Sequence, residues 1–82
     1  MSSVHLHLIF PAHLIDEPVL YRLVRDFDVV PNIKRANVDA SFAWAIVELS
    51  GDDDAIDRAT EWLRQQDIEI TEIDAPEGGA QP

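Results

Sequence analysis

The order in which the hydrophobic period changes along the chain restricts its fold more than any other feature. Val4 to Phe10 alternates at period two, with Val4, Leu6, Leu8 and Phe10 on one face and His5, His7 and Ile9 on the other. Pro11, which has no N–H to donate, ends that ladder. Asp16 is then a candidate cap, Glu17 and Pro18 suit a first helical turn, and Leu23, Val24 and Phe27 recur at helical spacing after Val19 or Leu20. This predicts a helix over about residues 17–27. Val29 to Asp39 reads as extended, and Pro31 near its start suggests an edge strand. Its alternation is poor, because Asn32, Lys34, Arg35 and Asn37 interrupt both faces. Phe42 to Ser50 is a second clear strand, which Gly51 is expected to break. Asp52 or Asp53 then caps a helix with the apolar stripe Ala55, Ile56, Ala59, Trp62 and Leu63. Asp67 to Ile73 alternates again, with Ile68 and Ile70 inward.

Strand, helix, strand, strand, helix, strand is the order of the split βαβ arrangement. Right-handed crossovers leave few alternatives to it. The expected class is α+β: a ferredoxin-like βαββαβ sandwich, its four-stranded antiparallel sheet carrying both helices on one face. The spatial order is then last strand, first, third, second. Residues 1–74 form the expected domain, and Ala75 to Pro82 read as a flexible C-terminal tail.

Composition narrows the function. The absence of cysteine excludes disulfides, thiolate metal sites and a cysteine nucleophile. A net charge of −10, with Lys34 and Arg35 the only close basic pair, repels a phosphate backbone, so no nucleic-acid partner is expected. No segment resembles a signal peptide or is apolar enough to cross a bilayer, which makes cytoplasmic the default reading and membrane insertion unexpected. No serine stands beside a sequence-evident base, no glycine-rich loop cradles phosphate, and no reaction class or cofactor suggests itself.

The runs Phe10-Pro11, Asp16-Glu17-Pro18-Val19-Leu20, Asn32-Ile33, Val47-Glu48-Leu49-Ser50-Gly51 and Trp62-Leu63 together resemble the NIL domain. The resemblance covers about residues 4–74. NIL domains are relatives of ACT regulatory domains. Some lie at the C-terminus of methionine ABC-importer ATPases, where they bind methionine and dampen transport; others are linked to ferredoxin modules. The resemblance implies a non-enzymatic, dimeric regulatory domain. Three departures are visible, one being the short run Asp39-Ala40-Ser41-Phe42 where importer members carry a longer loop before the third strand. Lys34 replaces the leucine of the motif, and the Ala43-Trp44 pair is closer to the ferredoxin-linked branch, whose cysteine-rich half has no counterpart here.

The family's ligand pocket, around the motif asparagine at the dimer seam, carries over to Asn32, Ile33 and Val38. An asparagine amide can satisfy both the carboxylate and the amine of an amino acid. The alternation of β-strand residues puts Phe42, Trp44 and Ile46 on the face away from the helices, beside His5, His7 and Ile9. Such a patch is expected to form an interface with a second copy of the chain. His5 and His7 could share a metal, but no third ligand is evident, so none is assigned. Asp52-Asp53-Asp54 lacks the spacing of a calcium loop and reads as a helix start. The leading expectation is a homodimer that senses an amino acid such as methionine or a related sulfur metabolite. The alternative is an adaptor that docks on a separately encoded ferredoxin, transporter or sulfur-metabolism enzyme.

Overall fold

In a computed structural model, describing residues 1–39 and 41–74, the third strand shows the cleanest sequence signal in the chain. β3 (Ala43–Gly51) alternates strictly, with Ala43, Ala45, Val47, Leu49 and Gly51 buried and the residues between them half-buried. β1 (Ser2–Phe10) pairs with it antiparallel over its whole length, from Ser2 opposite Gly51 to Phe10 opposite Ala43. β2 (Val30–Val38) flanks β3, and β4 (Glu69–Ile73) flanks β1, giving the order β2-β3-β1-β4 with every pairing antiparallel. This is the ferredoxin-like α+β arrangement expected from the sequence. The helices α1 (Val19–Phe27) and α2 (Asp53–Gln65) cover one face. Leu6, Leu8, Val47 and Leu49 from the sheet meet Val19, Leu23, Ile56, Ala59 and Leu63 from the helices in one core. Phe27 and Trp62 close its margin, their ring centroids 5.5 Å apart.

Several local expectations are corrected. Asp16 caps nothing: α1 begins at Val19, its cap position is Pro18, and no side chain caps it. A 3-10 turn over Ala12–Leu14 intervenes, burying Leu14, and the chain between that turn and Pro18 is used to reach the helix start. Gly51 does end β3, being its last residue, in register with Ser2. Its φ is 157°, and a Cβ there would stand 3.2 Å from Val29 Cγ1, so the close approach of Val29 favours glycine. At α2 the cap position is Asp52, again without a side-chain cap bond, while the Ser2 hydroxyl donates to the Asp53 carboxylate instead. Phe42 stands just before β3 in the turn where Asp39 N–H donates to Phe42 C=O at 2.9 Å. The tail expected from residue 75 onward lies outside the described residues.

The poor alternation of β2 has a structural cause. The register shifts between Ile33 and Arg35, so Lys34 is an extra residue with no opposite number on β3. On either side of this bulge the alternation is regular. Asn32 faces Glu48, Arg35 faces Ile46 and Asn37 faces Trp44, all on the helix-free face; Ile33, Ala36 and Val38 pair with Val47, Ala45 and Ala43 on the helix face.

Candidate functional site

β1 ends, α1 begins, β2 ends and β3 begins at the same end of the sheet. There, α1 leaves part of the sheet's helix face uncovered, and a cleft of about 160 Å³ opens between the helix start and the edge strand. Its floor is built of small side chains: Ala36 and Ala45 are opposite each other across β2 and β3, and Ala43 is opposite Val38. Ile33 and Val38 form the edge-strand wall, and Leu14, held in the core by the 3-10 turn, forms the other with Val19 and Phe10. Glu17 is the one charged residue of the lining among the described residues, and its carboxylate receives the Arg22 guanidinium at 3.4 Å. A second groove, between α2 and β4, is different in character: Asp57, Glu61 and Glu72 line it with Arg64 and Thr60.

The three residues assigned to a ligand from the family resemblance are thereby divided. Ile33 and Val38 share the cleft, whereas Asn32 stands on the opposite face of the sheet in register with Glu48. Neighbours in a strand point to opposite faces, so Asn32 and Ile33 could have been separated from their spacing alone. Among the cleft residues that sequence reasoning overlooked are Leu14, Glu17 and Ala36. Glu17 suits a first helical turn by type, but it stands before the start of α1. Ala36 acquires meaning only through its cross-strand partner.

The six residues expected at an interface do share one region. His5, His7 and Ile9 on β1 are opposite Glu48, Ile46 and Trp44 on β3, all half-buried, with the His7 and Trp44 ring centroids 5.7 Å apart. Phe42, beside them in the turn, is 44% exposed. Glu48 lies between Lys34 Nζ at 3.4 Å and the His5 ring at 4.0 Å. Among the described residues no group of three histidine or carboxylate side chains is placed to hold a metal ion. No helix among them is long and apolar enough to cross a membrane.

The edges of the sheet differ sharply. β4 is five residues long and bears Glu69 and Glu72, which blunt it against further pairing. β2 is nine residues long and almost wholly exposed, with Val30 at 64%, Ile33 at 52% and Val38 at 64% of their full accessibility. Pro31, Lys34 and the bulge are devices that blunt an edge, yet these three apolar side chains leave β2 the more open of the two.

Comparisons with known proteins agree with this architecture. The chain is 32% identical over 72 residues to "Methionine import ATP-binding protein MetN" of Lacticaseibacillus paracasei. That alignment takes in 83% of this chain but only 21% of the relative, so the chain spans about a fifth of that protein's length. The solved C-terminal domain of an ABC transporter ATP-binding protein from Enterococcus faecalis superposes with a TM-score of 0.75, covering 89% of this chain and 86% of that one. At 21% identity this second likeness is one of fold. The model of the NIL domain matches residues 4–72, nearly the whole of the described fold, and the chain belongs to the NIL domain family.

Proposed function

We propose that this NIL domain is a non-catalytic regulatory module that pairs with a second copy of itself along β2 and senses a small amino-acid-like ligand. The observation that carries the reading is the combination at one edge of the sheet: a long, exposed strand bearing Val30, Ile33 and Val38, with a ligand-sized apolar cleft beside it. Methionine is the first candidate, because the relative of known role is named a methionine import ATP-binding protein. A transporter ATPase is by the same token the first candidate for the machinery it regulates, and the cytoplasm the compartment.

A thermal-shift series with the free amino acids tests the sensing half. A ligand at a hundred times its dissociation constant stabilises a fold by about 2.7 kcal/mol, a readily measured shift. Silence from all of them at millimolar concentration ends this reading. The adaptor reading then stands in its place, supported by Trp44, His7, Ile9 and Ile46 on the helix-free face, where a ferredoxin or sulfur-metabolism enzyme would dock.

A further inference from the structure

We infer that the trough between α2 and β4 is a docking surface for a basic amphipathic helix presented by a partner protein. The trough lies at the edge of the sheet farthest from β2, so it is open whether or not a second copy or a ligand occupies that other edge. Its origin is one misfit in the pattern of β4. Ile70 and Glu72 stand opposite Leu8 and Leu6, on the face of the sheet that the helices cover. A carboxylate at the second position has to stay in water, which keeps α2 from closing over the end of the strand. The result is a space of about 320 Å³ with Val4, Leu6, Ile56 and Ile70 along its floor. Val4 and Ile70 are only half-buried, so the floor has apolar surface left to cover.

Both banks of the trough are acidic. Asp57, Glu61 and Arg64 follow one another along α2 at spacings of four and three, which makes a single row on a helix, and Glu72 stands across from them on β4. Arg64 is paired with Glu61, at 3.6 Å. No basic side chain pairs with Asp57 or Glu72 among the described residues, which include all six lysines and arginines of the chain. An apolar floor between two anionic banks matches a segment whose apolar stripe is flanked by lysine or arginine. An extended segment fits poorly, because β4 is five residues long and its edge is blunted by Glu69 and Glu72. A helix needs no backbone partner, and α2, thirteen residues or about 20 Å long, gives it a rail to lie along. A second copy of this chain does not fit. Trough against trough would set like charges together, and the close basic pair of the chain, Lys34 and Arg35, is on a strand.

Titration of the 15N-labelled full chain followed by NMR tests this with three synthetic peptides, each of about 14 residues. One is a leucine–lysine amphipathic helix, the second carries glutamate in place of lysine, and the third is oligolysine. The leucine–lysine peptide should shift the amides of residues 56–64 and 70–72 and bind at least tenfold more tightly than oligolysine. Its binding should weaken as sodium chloride rises from 50 to 300 mM, and the glutamate peptide should not bind. Asp57→Asn combined with Glu72→Gln, both at exposed positions, should lose at least tenfold in affinity with the remaining amide spectrum unchanged. Should that pair disturb β4, Asp57→Asn alone, on the outside of α2, should still weaken binding. Asp16→Asn combined with Asp26→Asn removes the same charge far from the trough and should bind as wild type does. Equal weakening by the two pairs, or equal binding of oligolysine, would mean that the peptide answers only to net charge and would overturn the proposal. Shifts confined to β2 or to the helix-free face would place docking elsewhere, and silence from the leucine–lysine peptide at 50 mM salt would end it. None of these outcomes bears on the sensing role, which is read with amino acids.

Discussion

Asp28 after α1, at φ 57°, and Asp67 after α2, at φ 66°, both adopt the left-handed conformation that ends a helix. Aspartate tolerates it, but glycine adopts it without a Cβ clash. Asp28→Gly and Asp67→Gly are each expected to stabilise the fold by about 0.5 kcal/mol in urea titrations, the relief of strain exceeding the added entropy of the unfolded chain. Asp28→Val should destabilise by about 1 kcal/mol or more, since a β-branched residue fits that region worst. Equal stability of the glycine and valine variants would show that the left-handed turn is not a constraint. A second residue-level feature has no such consequence. The Arg25 guanidinium donates to the Asp26 carboxylate at 2.7 and 2.9 Å and holds that carboxyl below its usual pKa, the hydrogen bond being the main cause. A lowered folded pKa gives stability present at neutral pH and lost as pH falls through the folded value. Both side chains are exposed, however, and adjacent in sequence, so the pair can form in the unfolded chain as well. Asp26→Asn should leave the melting temperature unchanged.

β2 concentrates what is unusual among the secondary-structure elements. Lys34 is the extra residue of its bulge, and removing it would leave Ile33 opposite Val47 and Arg35 opposite Ile46 in an unbroken ladder. Deletion of Lys34 is therefore expected to preserve the fold, with a stability change within about 1 kcal/mol. Deletion of Asn37 would turn Val38 onto the helix-free face, out of the cleft wall, and should be the more damaging of the two. Urea unfolding of both variants checks the order; the reverse order would mean the register is not as described. The same strand is the proposed seam. Val38→Lys places a charge on an already exposed edge position, so folding should change by less than about 1 kcal/mol while dimers dissociate. Sedimentation at micromolar concentration, with Trp44→Glu alongside, reads this directly. Dissociation by Trp44→Glu alone would move the seam to the helix-free face.

Charge is unevenly spread over the whole molecule. Residues 52–74, which form α2 and β4, hold nine acidic residues against Arg58 and Arg64, whereas β2 carries Lys34 and Arg35 with no acid of its own. Like charges crowded on one side of a small domain repel, and salt screens them over about 10 Å at 0.1 M. Raising sodium chloride from 10 mM to 300 mM should thus raise the melting temperature, and a fall would show that ion pairs such as Lys34–Glu48 matter more than the net repulsion. Among the described residues the core runs from Leu6 to Ile68. Cutting the chain after Asp74 should accordingly move the melting temperature by less than about 5 °C, corresponding to roughly 1 kcal/mol.

The order of elements, the edge position of β2 and the face of β3 that meets the helices were all legible in the sequence. Periods of two and of three to four are local properties, written in Val4 to Phe10, Phe42 to Ser50 and Ala55 to Leu63 and read without knowing any partner. The start of α1 was not legible. Asp16 is a competent cap by type, but burying Leu14 in the core draws the chain into a 3-10 turn first and delays the helix to Val19. Nor could the bulge at Lys34 be read, because an extra residue is defined only against the strand opposite. The cleft is the clearest case. Its floor is a set of alanines brought together by cross-strand register, and its opening is the part of the sheet that a nine-residue helix starting at Val19 does not reach. A void is a relation between surfaces distant in sequence, so it took the packed chain to set Ile33 and Val38 around one space and leave Asn32 on the other side of the sheet.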